Sequence, residues 1–462
     1  MHQTSCAKPR IWKGEFVLIC RGKYDVIVCG GGTSGTMAAV SAARSGLKTL
    51  LVEKGPILGG VLSMGYFPHS FYANTGKRAI GGMAQELIDR LQAKGGSLGH
   101  LRYEGGHLYT ITPVDSEMVK IVLLEMCVEA GVEILFETLV NDIITAGSRV
   151  TGLFLENKEG KRTVEGDMII DATGDGDIAC LAGAEYEKGR SDGKMQPVSL
   201  SMRVSNVDTL RMAAEIPTDQ AVLMAKRPGS DCEKPVYFVA RLGKWDDTPE
   251  AKEIFTDKNR QMFCLCTLED DIFINISRVV GVDATSADEA SGAIISTRLQ
   301  IDKIYRFVRK YLPGFENCHL IAGNFLGVRE SRRFVGDYTL TEEDIKAGRM
   351  FEDNICLVGY PMDMHDPEGG NVVFSPIGGD GTYGIPYRCL TPKGLDNLLI
   401  TGRCISVTHA ALASSRTMSA CMCMGQAAGI ASALALKNGG NYRCIDIKEL
   451  QNKLEEQGAI LH

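Results

Sequence analysis

The chain lacks the features that would place it among nucleic-acid-binding or metal-binding proteins. Its 462 residues have a formal charge of −7 and no long run of Lys and Arg. A nucleic acid requires a basic face, so this charge balance argues against that class of partner. Fifteen cysteines are present, but the close pairs Cys264/Cys266 and Cys421/Cys423 have the wrong spacing for a zinc ribbon or an iron–sulfur cluster. No metal site is predicted.

Neither a secretory leader nor a membrane-spanning segment is expected. The first 23 residues are rich in charge and contain only a short apolar run at 16–20. The longest apolar stretch, 418–436, consists mainly of Ala, Ser, Gly and Cys and includes Gln426, so its transfer to a bilayer would be unfavourable. The scattered cysteines are expected to be reduced, buried thiols. We therefore expect a cytoplasmic protein that does not span a membrane.

One nucleotide-binding unit stands near the start of the chain. Its parts are a strand at 25–29, a Gly-Gly-Gly-Thr-Ser-Gly turn at 30–35, a helix at 36–45, a second strand at 49–52 and an acidic residue at 53. Gly30 permits the tight turn, Gly32 lets a pyrophosphate approach the backbone, and Gly35 lets the helix pack on the sheet. Glu53 is placed to accept hydrogen bonds from ribose hydroxyls and would repel a 2′-phosphate. FAD or NAD therefore fits better than NADP.

A second glycine pattern of the same form occurs at 379–384. It runs directly into Ile385 and Pro386, and a proline there opposes a following helix. Without a helix N-terminus the pattern has no phosphate site, so we predict a loop at this position.

The order of strands and helices predicts an α/β fold. A Rossmann-like FAD/NAD(P)-binding domain is interrupted by a β-rich α+β substrate domain, in which short strands alternate before a long amphipathic helix at 286–311. The predicted divisions are an N-terminal extension 1–23, the first part of the nucleotide domain 24–195, the inserted substrate or cap domain 196–319, the second part of the nucleotide domain 320–440 and a C-terminal segment 441–462.

Several motifs together resemble one family. They are the turn at 30–35, Glu53, Gly59-Gly60, the Asp-Ala-Thr-Gly-Asp sequence at 171–175 and the Met-Gly-Gln-Ala-Ala-Gly sequence at 424–429. The chain resembles the FAD-dependent oxidoreductase family with the glutathione-reductase-type FAD fold, related to the fumarate reductase and succinate dehydrogenase flavoproteins. The patterns at 327–333 and 383–388 are also similar to that family, and the resemblance spans nearly the whole chain.

The resemblance implies an FAD bound in an extended form. Non-covalent binding is expected, because the chain lacks the histidine–glycine doublet that anchors covalent flavin in the respiratory relatives. Arg403 stands where many relatives have an acidic residue. The cofactor-binding residues implied are Gly30, Gly32, Thr33, Ser34, Gly35, Glu53, Lys54, Gly59, Gly60, Val140, Thr173, Gly174, Asp175, Gly402, Arg403, Met418 and Ser419.

A helix beginning near Thr417 is expected to direct its N-terminal amides at the pyrimidine edge of the flavin. This expectation also follows from electrostatics, because reduced flavin carries negative charge that a helix N-terminus stabilises. Cys421, Gly425 and Gly429 recur every fourth residue and form a small face. That face would let the helix lie close to its neighbours.

The candidates for chemistry are histidines, arginines and one tyrosine. Flavin exchanges hydride at N5, so the protein must position the substrate and supply a proton donor or acceptor. The predicted catalytic residues are His409, Arg416, Arg329, His365 and Tyr387. His69 is expected to be structural. Pairing with Glu330 and neighbouring carboxylates is the alternative role for the arginines at 329, 332 and 333.

The predicted function is hydride transfer between flavin N5 and a small polar metabolite that bears a carboxylate or carbonyl group. The chain has no second nucleotide unit and no Cys-x-x-Cys-type redox pair, so a thioredoxin-reductase-like enzyme is not expected.

Two alternatives stay open: a flavin monooxygenase, and a flavin-binding subunit of a multi-protein redox complex. The expected partners are a small-molecule substrate and an external electron donor or acceptor, and a homo-oligomer is left open.

Overall fold

The computed structural model describes residues 22–102, 110–215, 221–226, 235–241, 243–255, 261–266, 271–323, 325–370 and 372–462. The predicted N-terminal extension lies outside the described residues up to residue 21.

The strands of the described residues form one large sheet, an inserted sheet and several two-stranded pairs. They are β1 Lys23–Cys29, β2 Thr49–Val52, β3 Leu101–Arg102, β4 Thr110–Ile111, β5 Glu133–Leu135, β6 Leu139–Ala146, β7 Arg149–Asn157, β8 Gly160–Asp171, β9 Tyr186–Lys188, β10 Met202–Ser205, β11 Ala221–Lys226, β12 Pro235–Arg241, β13 Gln261–Cys266, β14 Ile272–Asn275, β15 His319–Gly323, β16 Arg332–Phe334, β17 Asn354–Val358, β18 Met362–His365, β19 Val372–Ser375, β20 Tyr383–Pro386 and β21 Leu398–Ile400.

The α-helices vary from single turns to a 25-residue element. They are α1 Thr33–Arg44, α2 Gly82–Ala93, α3 Ser116–Ala130, α4 Asp177–Leu181, α5 Thr209–Glu215, α6 Pro249–Ile254, α7 Ala287–Tyr311, α8 Glu342–Ala347, α9 His409–Ser415, α10 Met418–Lys437 and α11 Ile447–Glu456.

The large sheet has the strand order β5-β2-β1-β8-β7-β6, with β21 also paired to β8. The pairs β2/β5, β1/β2, β1/β8 and β8/β21 are parallel, whereas β6, β7 and β8 form an antiparallel meander. Helix α1 and the buried α10 pack against this sheet. The predicted α/β fold with a Rossmann-like nucleotide domain is confirmed.

The inserted domain is an antiparallel sheet of order β11-β12-β13-β14-β10-β15 that packs on α7. Strand β15 pairs with β10, so the inserted sheet extends past the predicted boundary at residue 319. The two domains meet where the Phe273 ring of β14 lies edge-on to the Tyr66 ring, with 4.5 Å between centroids. This contact brings the end of β14 to the loop that follows Gly59 and Gly60.

The helices predicted at 36–45, at 286–311 and near Thr417 correspond to α1, α7 and α10, with starts that differ by at most three residues. Helix α3 begins where Asp115 accepts hydrogen bonds from the backbone amides of Glu117 and Met118, and Ser286 caps α7 in the same way. Helix α1 begins at Thr33, inside the glycine turn and three residues before the predicted start. No helix follows the second glycine pattern, as predicted, but only 379–382 lie in the predicted loop, because Tyr383 and Gly384 belong to strand β20.

Helix α10 is long and apolar enough to cross a membrane by composition, but 94% of its apolar window is buried inside the protein. Its Gly425 and Gly429 explain how it lies so close to α1. A β-carbon at Gly425 would collide with the Ser34 carbonyl oxygen, and one at Gly429 would lie 2.5 Å from the Ala38 carbonyl oxygen. The small face predicted from the sequence is therefore the surface that packs on α1.

Candidate cofactor and substrate site

Four chain segments leave the large sheet at the same edge. Cys29 at the end of β1 is in register with Val52 of β2 and with Asp171 of β8, and Ile400 of β21 is in register with Asp171. Because these strands are parallel, the segments that follow them must emerge side by side. Ligands of open α/β sheets bind at this edge, outside the carboxyl ends of the strands.

The three motif glycines differ in what surrounds them. Gly30 has a φ of +97°, and a β-carbon there would lie 2.5 Å from the Ala172 carbonyl oxygen. A β-carbon at Gly35 would collide with the Gly30 carbonyl oxygen. Gly32 has a φ of −71°, and a β-carbon added to it would have no protein atom within 4 Å. Protein packing thus requires Gly30 and Gly35, whereas the space beside Gly32 is open for a ligand.

Glu53 is fixed at the tip of β2. Its Oε2 accepts a hydrogen bond from the Gly31 backbone N–H and its Oε1 accepts one from Gly55, each at 2.6 Å. Each carboxylate oxygen keeps a further lone pair to accept a hydroxyl proton. Glu53 and Val140 both line the cavity.

A cavity of about 1360 Å³ runs along this edge. Its volume exceeds the roughly 300–1,000 Å³ of an ordinary small-molecule site, which leaves room for a dinucleotide and a second molecule. The predicted cofactor residues that line it are Gly30, Gly32, Thr33, Ser34, Glu53, Lys54, Gly60, Val140, Thr173, Gly174, Asp175, Gly402, Arg403 and Met418.

Three predicted cofactor residues lie behind the cavity wall. Gly35 is enclosed in the turn, as described above. Gly59 connects the two glycine motifs, because its N–H donates to the Gly31 carbonyl oxygen at 2.8 Å and its carbonyl oxygen accepts from Thr33 Oγ1 at 2.9 Å. Ser419 is buried and its hydroxyl donates to the His69 carbonyl oxygen at 2.8 Å. These three residues therefore support the residues that line the cavity. They do not line it themselves, as the predicted contact with the cofactor would require.

Arg403 is paired across the cavity edge. Its Nη2 lies 2.5 Å from Asp175 Oδ1, and its Nη1 donates to the Val328 carbonyl oxygen at 2.8 Å. Burial alone would raise the pKa of Asp175, but the guanidinium of Arg403 holds that pKa below its usual range. The guanidinium of Arg403 thus stands at the cavity beside a carboxylate, that of Asp175, which follows β8.

The N-terminus of α10 opens onto the cavity. Thr417 is its N-cap residue and lines the cavity, but its side chain makes no capping hydrogen bond. The buried Thr417 Oγ1 has no hydrogen-bond partner among the described residues. A buried hydroxyl without a partner is unfavourable, and a bound cofactor with polar atoms at this position would satisfy it.

Replacing Thr417 with valine is expected to weaken FAD binding by about twofold to tenfold, the effect of losing one hydrogen bond. The same change removes an unpaired hydroxyl, so the apo-protein should melt at an equal or higher temperature. Flavin fluorescence titration and thermal melting would measure the two effects.

Thr408→Val is the matched control for this change. Thr408 Oγ1 accepts from the Ala411 N–H at 3.3 Å to cap α9 and donates to Glu342 Oε2 at 2.9 Å, so valine there should lower the melting temperature. An unchanged FAD affinity in Thr417→Val would contradict a role for that hydroxyl.

The other end of the cavity contains a group of charged side chains. The predicted residues Arg329, Arg416 and His365 all line it. Arg329 Nη1 donates to the Pro197 carbonyl oxygen at 2.8 Å and to Ser199 Oγ at 2.9 Å. Arg416 Nη2 donates to the Asp363 carbonyl oxygen at 3.3 Å. This end of the cavity therefore brings together residues far apart in the sequence.

Burial changes the protonation behaviour of these groups. Desolvation lowers the pKa of Arg329 to about 10, with a further contribution from Arg416, and it also lowers the pKa of Arg416. Both guanidiniums remain charged at neutral pH. Desolvation and the nearby Arg329 lower the pKa of His365 to about 4. The imidazole is therefore neutral at pH 7.

The sequence did not reveal four further residues at this end: Arg278, Asp363, His69 and Tyr360. Asp363 could have been predicted from the sequence, because it stands two residues before His365 on β18 and alternation along a strand puts both side chains on one face. His69 was expected to be structural, but it lines the cavity and stacks on the Tyr360 ring at 6.1 Å. Arg278 follows β14, and no local pattern distinguishes it from other surface arginines.

Two predicted catalytic residues lie outside the cavity. His409 Nδ1 is 2.8 Å from Oε1 of the fully buried Glu330, and that carboxylate also pairs with Arg333. The Tyr387 hydroxyl donates to the Tyr442 carbonyl oxygen at 2.9 Å in the core. Both side chains face protein partners, so neither position fits the predicted contact with flavin or substrate.

The arginine cluster divides between the two roles considered for it. Arg333 pairs with Glu330, and Arg332 pairs with Asp177 at 2.9 Å, so these two have structural partners. Arg388, near the second glycine pattern, pairs with Asp353 and does not line the cavity. Of the arginines between 327 and 333, Arg329 is the one that faces the cavity.

The strand-edge geometry and the glycine turn define a dinucleotide-binding protein with an inserted second domain. The chain belongs to the family described as FAD dependent oxidoreductase, whose model matches residues 25–454. FAD is its cofactor, and the protein is an oxidoreductase.

Individual relatives match only parts of the chain. Over 171 residues it is 33% identical to digeranylgeranylglycerophospholipid reductase 2 of Methanothermobacter thermautotrophicus, a match that covers 35% of this chain and 43% of that protein. It is 32% identical over 132 residues to thiamine thiazole synthase of Aeropyrum pernix, covering 28% of this chain and 43% of that protein. The matches thus span less than half the length of these relatives.

The solved structure of p-nitrophenol 4-monooxygenase PnpA from Pseudomonas putida DLL-E4 resembles this chain with a TM-score of 0.50 and 10% identity. The alignment covers 94% of this chain and 84% of that one. At this level of identity, the likeness shows a shared fold.

Proposed function

We propose that this FAD-dependent oxidoreductase transfers hydride between flavin N5 and a small metabolite that bears a carboxylate. The observation that supports it is the pair Arg329 and Arg416. Both guanidiniums line the cavity, and their hydrogen bonds go to uncharged oxygens of Pro197, Ser199 and Asp363. Among the described residues, neither has a carboxylate partner within 4 Å. A buried positive charge of this kind favours an anionic ligand.

The bound FAD would supply the hydride acceptor or donor at N5. Arg329 and Arg416 would bind and orient the substrate carboxylate. His365, neutral at pH 7, is in the form that accepts a proton from the substrate. Asp363 Oδ1 lies 3.5 Å from His365 Nε2 and would stabilise the resulting imidazolium. A neutral imidazole fits substrate oxidation better than reduction.

An anaerobic screen of the FAD-loaded protein tests this function. Loss of flavin absorbance would be followed with 2-hydroxy and 2-amino carboxylates, and with the primary amide of each compound. Carboxylates are expected to reduce the flavin at least about tenfold more efficiently than their amides, because an ionic contact to a buried guanidinium is lost in the amide. Equal rates for acid and amide would contradict the proposal.

Further parts of the proposal come from the sequence. They are non-covalent attachment of FAD, an external electron donor or acceptor, and a cytoplasmic location. Release of free flavin on acid precipitation of the protein would test the first of them.

A further inference from the structure

We propose that the substrate is an amphiphile, in which the anionic group bound by Arg329 and Arg416 is attached to an apolar chain. The chain would lie along a wall made by the inserted domain and the hairpin β18–β19. This inference rests on the proposed function and specifies its substrate class.

The hairpin provides the first half of the evidence. His365 pairs directly with Val372 and Asp363 with Phe374, so each pair projects from the same face of the two strands. All four residues line the cavity. One strand therefore presents polar groups to the cavity while its partner presents apolar ones, and the wall changes from polar to apolar across a single pair of strands.

The inserted domain continues the apolar surface. Ile276 follows β14, Ile294 lies on α7, and Phe325 follows β15, and all three line the same cavity. Phe325 is 60% exposed, Ile294 43% and Phe374 42%. Large apolar side chains that both line a cavity and meet solvent must stand at its mouth, where a bound apolar chain would cover them.

The apolar wall is continuous with the charged end. Arg278 Nη1 lies 3.4 Å from the Gly370 carbonyl oxygen, just before β19, and its Nη2 lies 3.5 Å from His365 Nδ1. Guanidiniums therefore stand at the inner end of a surface whose outer end is apolar. A ligand complementary to both ends has an anionic head and an apolar tail. A substrate without a tail would leave the aromatic and branched side chains at the mouth in water.

A chain-length series tests this inference. Butanoate, octanoate and dodecanoate, each below its micelle concentration, would be titrated into the FAD-loaded protein while the flavin spectrum is recorded. Each methylene that becomes fully buried should tighten binding by about threefold to fourfold. Dodecanoate is therefore expected to bind at least about 100-fold more tightly than butanoate, since even partial burial of eight added methylenes gives this factor. Dodecylamine, with the opposite charge, should bind more weakly than dodecanoate.

Two variants test where the apolar tail of the ligand lies. Phe374→Ser and Ile294→Ser are each expected to weaken dodecanoate binding by about tenfold and so to reduce the dependence on chain length. Leu299→Ser is the matched control, because Leu299 is on α7 as well and is 64% exposed but does not line the cavity. It should leave the series unchanged.

The outcomes separate this inference from the function on which it rests. If all three carboxylates bind with similar affinity, the anionic site stands and the apolar chain is rejected. If none perturbs a flavin that is bound, the carboxylate site itself is rejected. A steep series that Leu299→Ser flattens as much as Phe374→Ser would also reject the proposed wall.

Discussion

Replacing Gly32 with valine is expected to remove FAD from the protein without unfolding it. The backbone of Gly32 has a φ of −71°, which valine adopts, and no protein atom lies within 4 Å of the new β-carbon. The side chain would instead occupy the space through which a pyrophosphate reaches the backbone amides. Charge-assisted hydrogen bonds contribute about 1.5–3 kcal/mol each, so losing two of them weakens FAD binding by at least about 100-fold.

Flavin content after purification and thermal melting of the apo-protein would measure this effect. Gly292→Val on α7 is the matched control, since Gly292 also has open space around it but does not line the cavity. Gly30→Val provides the contrast. Gly30 has a positive φ and lies close to the Ala172 carbonyl oxygen, so the Gly30→Val protein should unfold at a lower temperature. A yellow Gly32→Val protein with normal FAD affinity would show that the cofactor does not approach this turn.

Replacing Arg329 with methionine is expected to lower kcat/KM for a carboxylate substrate by about 100-fold, with FAD content unchanged. Losing one partner of a buried charge pair costs about 2–5 kcal/mol, and methionine keeps the length of the side chain without its charge. The measurement is flavin reduction under anaerobic conditions, with the substrate concentration varied to obtain kcat/KM. The amide of the same substrate should be affected far less.

Arg388→Met is the control for Arg329→Met. It breaks an ion pair with Asp353 at 2.9 Å that lies outside the cavity, so its kinetics should match those of the unmodified protein. If Arg329→Met reduces its flavin as fast as Arg388→Met, then Arg329 does not bind the substrate.

Much of the cofactor half could be predicted from the sequence, because its signals are local. A strand, a glycine turn and a helix within about thirty residues form a recognisable unit, and parallel pairing then forces the ends of β1, β2, β8 and β21 to one edge. Gly59 and Ser419 were predicted to contact the cofactor but lie behind the cavity wall and do not line the cavity. A motif shows that a residue belongs to a turn, but packing decides whether it faces the ligand or supports the residue that does.

The substrate half was harder, because its geometry depends on partners far away in the chain. Arg332 is held by Asp177, which lies in another segment, and Arg333 is held by the neighbouring Glu330 and by Glu187. Only the folded structure shows that Arg329 is turned toward the cavity instead. Tyr387 and His409 were predicted to contact flavin or substrate, but their partners Tyr442 and Glu330 are also distant in the sequence and hold them outside the cavity. A polar side chain in a glycine-rich or apolar segment can form its hydrogen bonds inside the core. The local sequence does not show whether such a side chain points to the core or to the cavity.

Strand β8 has a consequence for the order of events during synthesis. Its first half pairs with β7, and its last residues pair with β21, more than 220 positions later in the chain. Gly402, Arg403 and the N-terminus of α10 all follow β21. A ribosome must therefore synthesise the chain through residue 418 before these groups can join the glycine turn at 30–35. Cofactor capture is consequently a late step, and chains cut short before residue 398 would be colourless even if their first domain had folded.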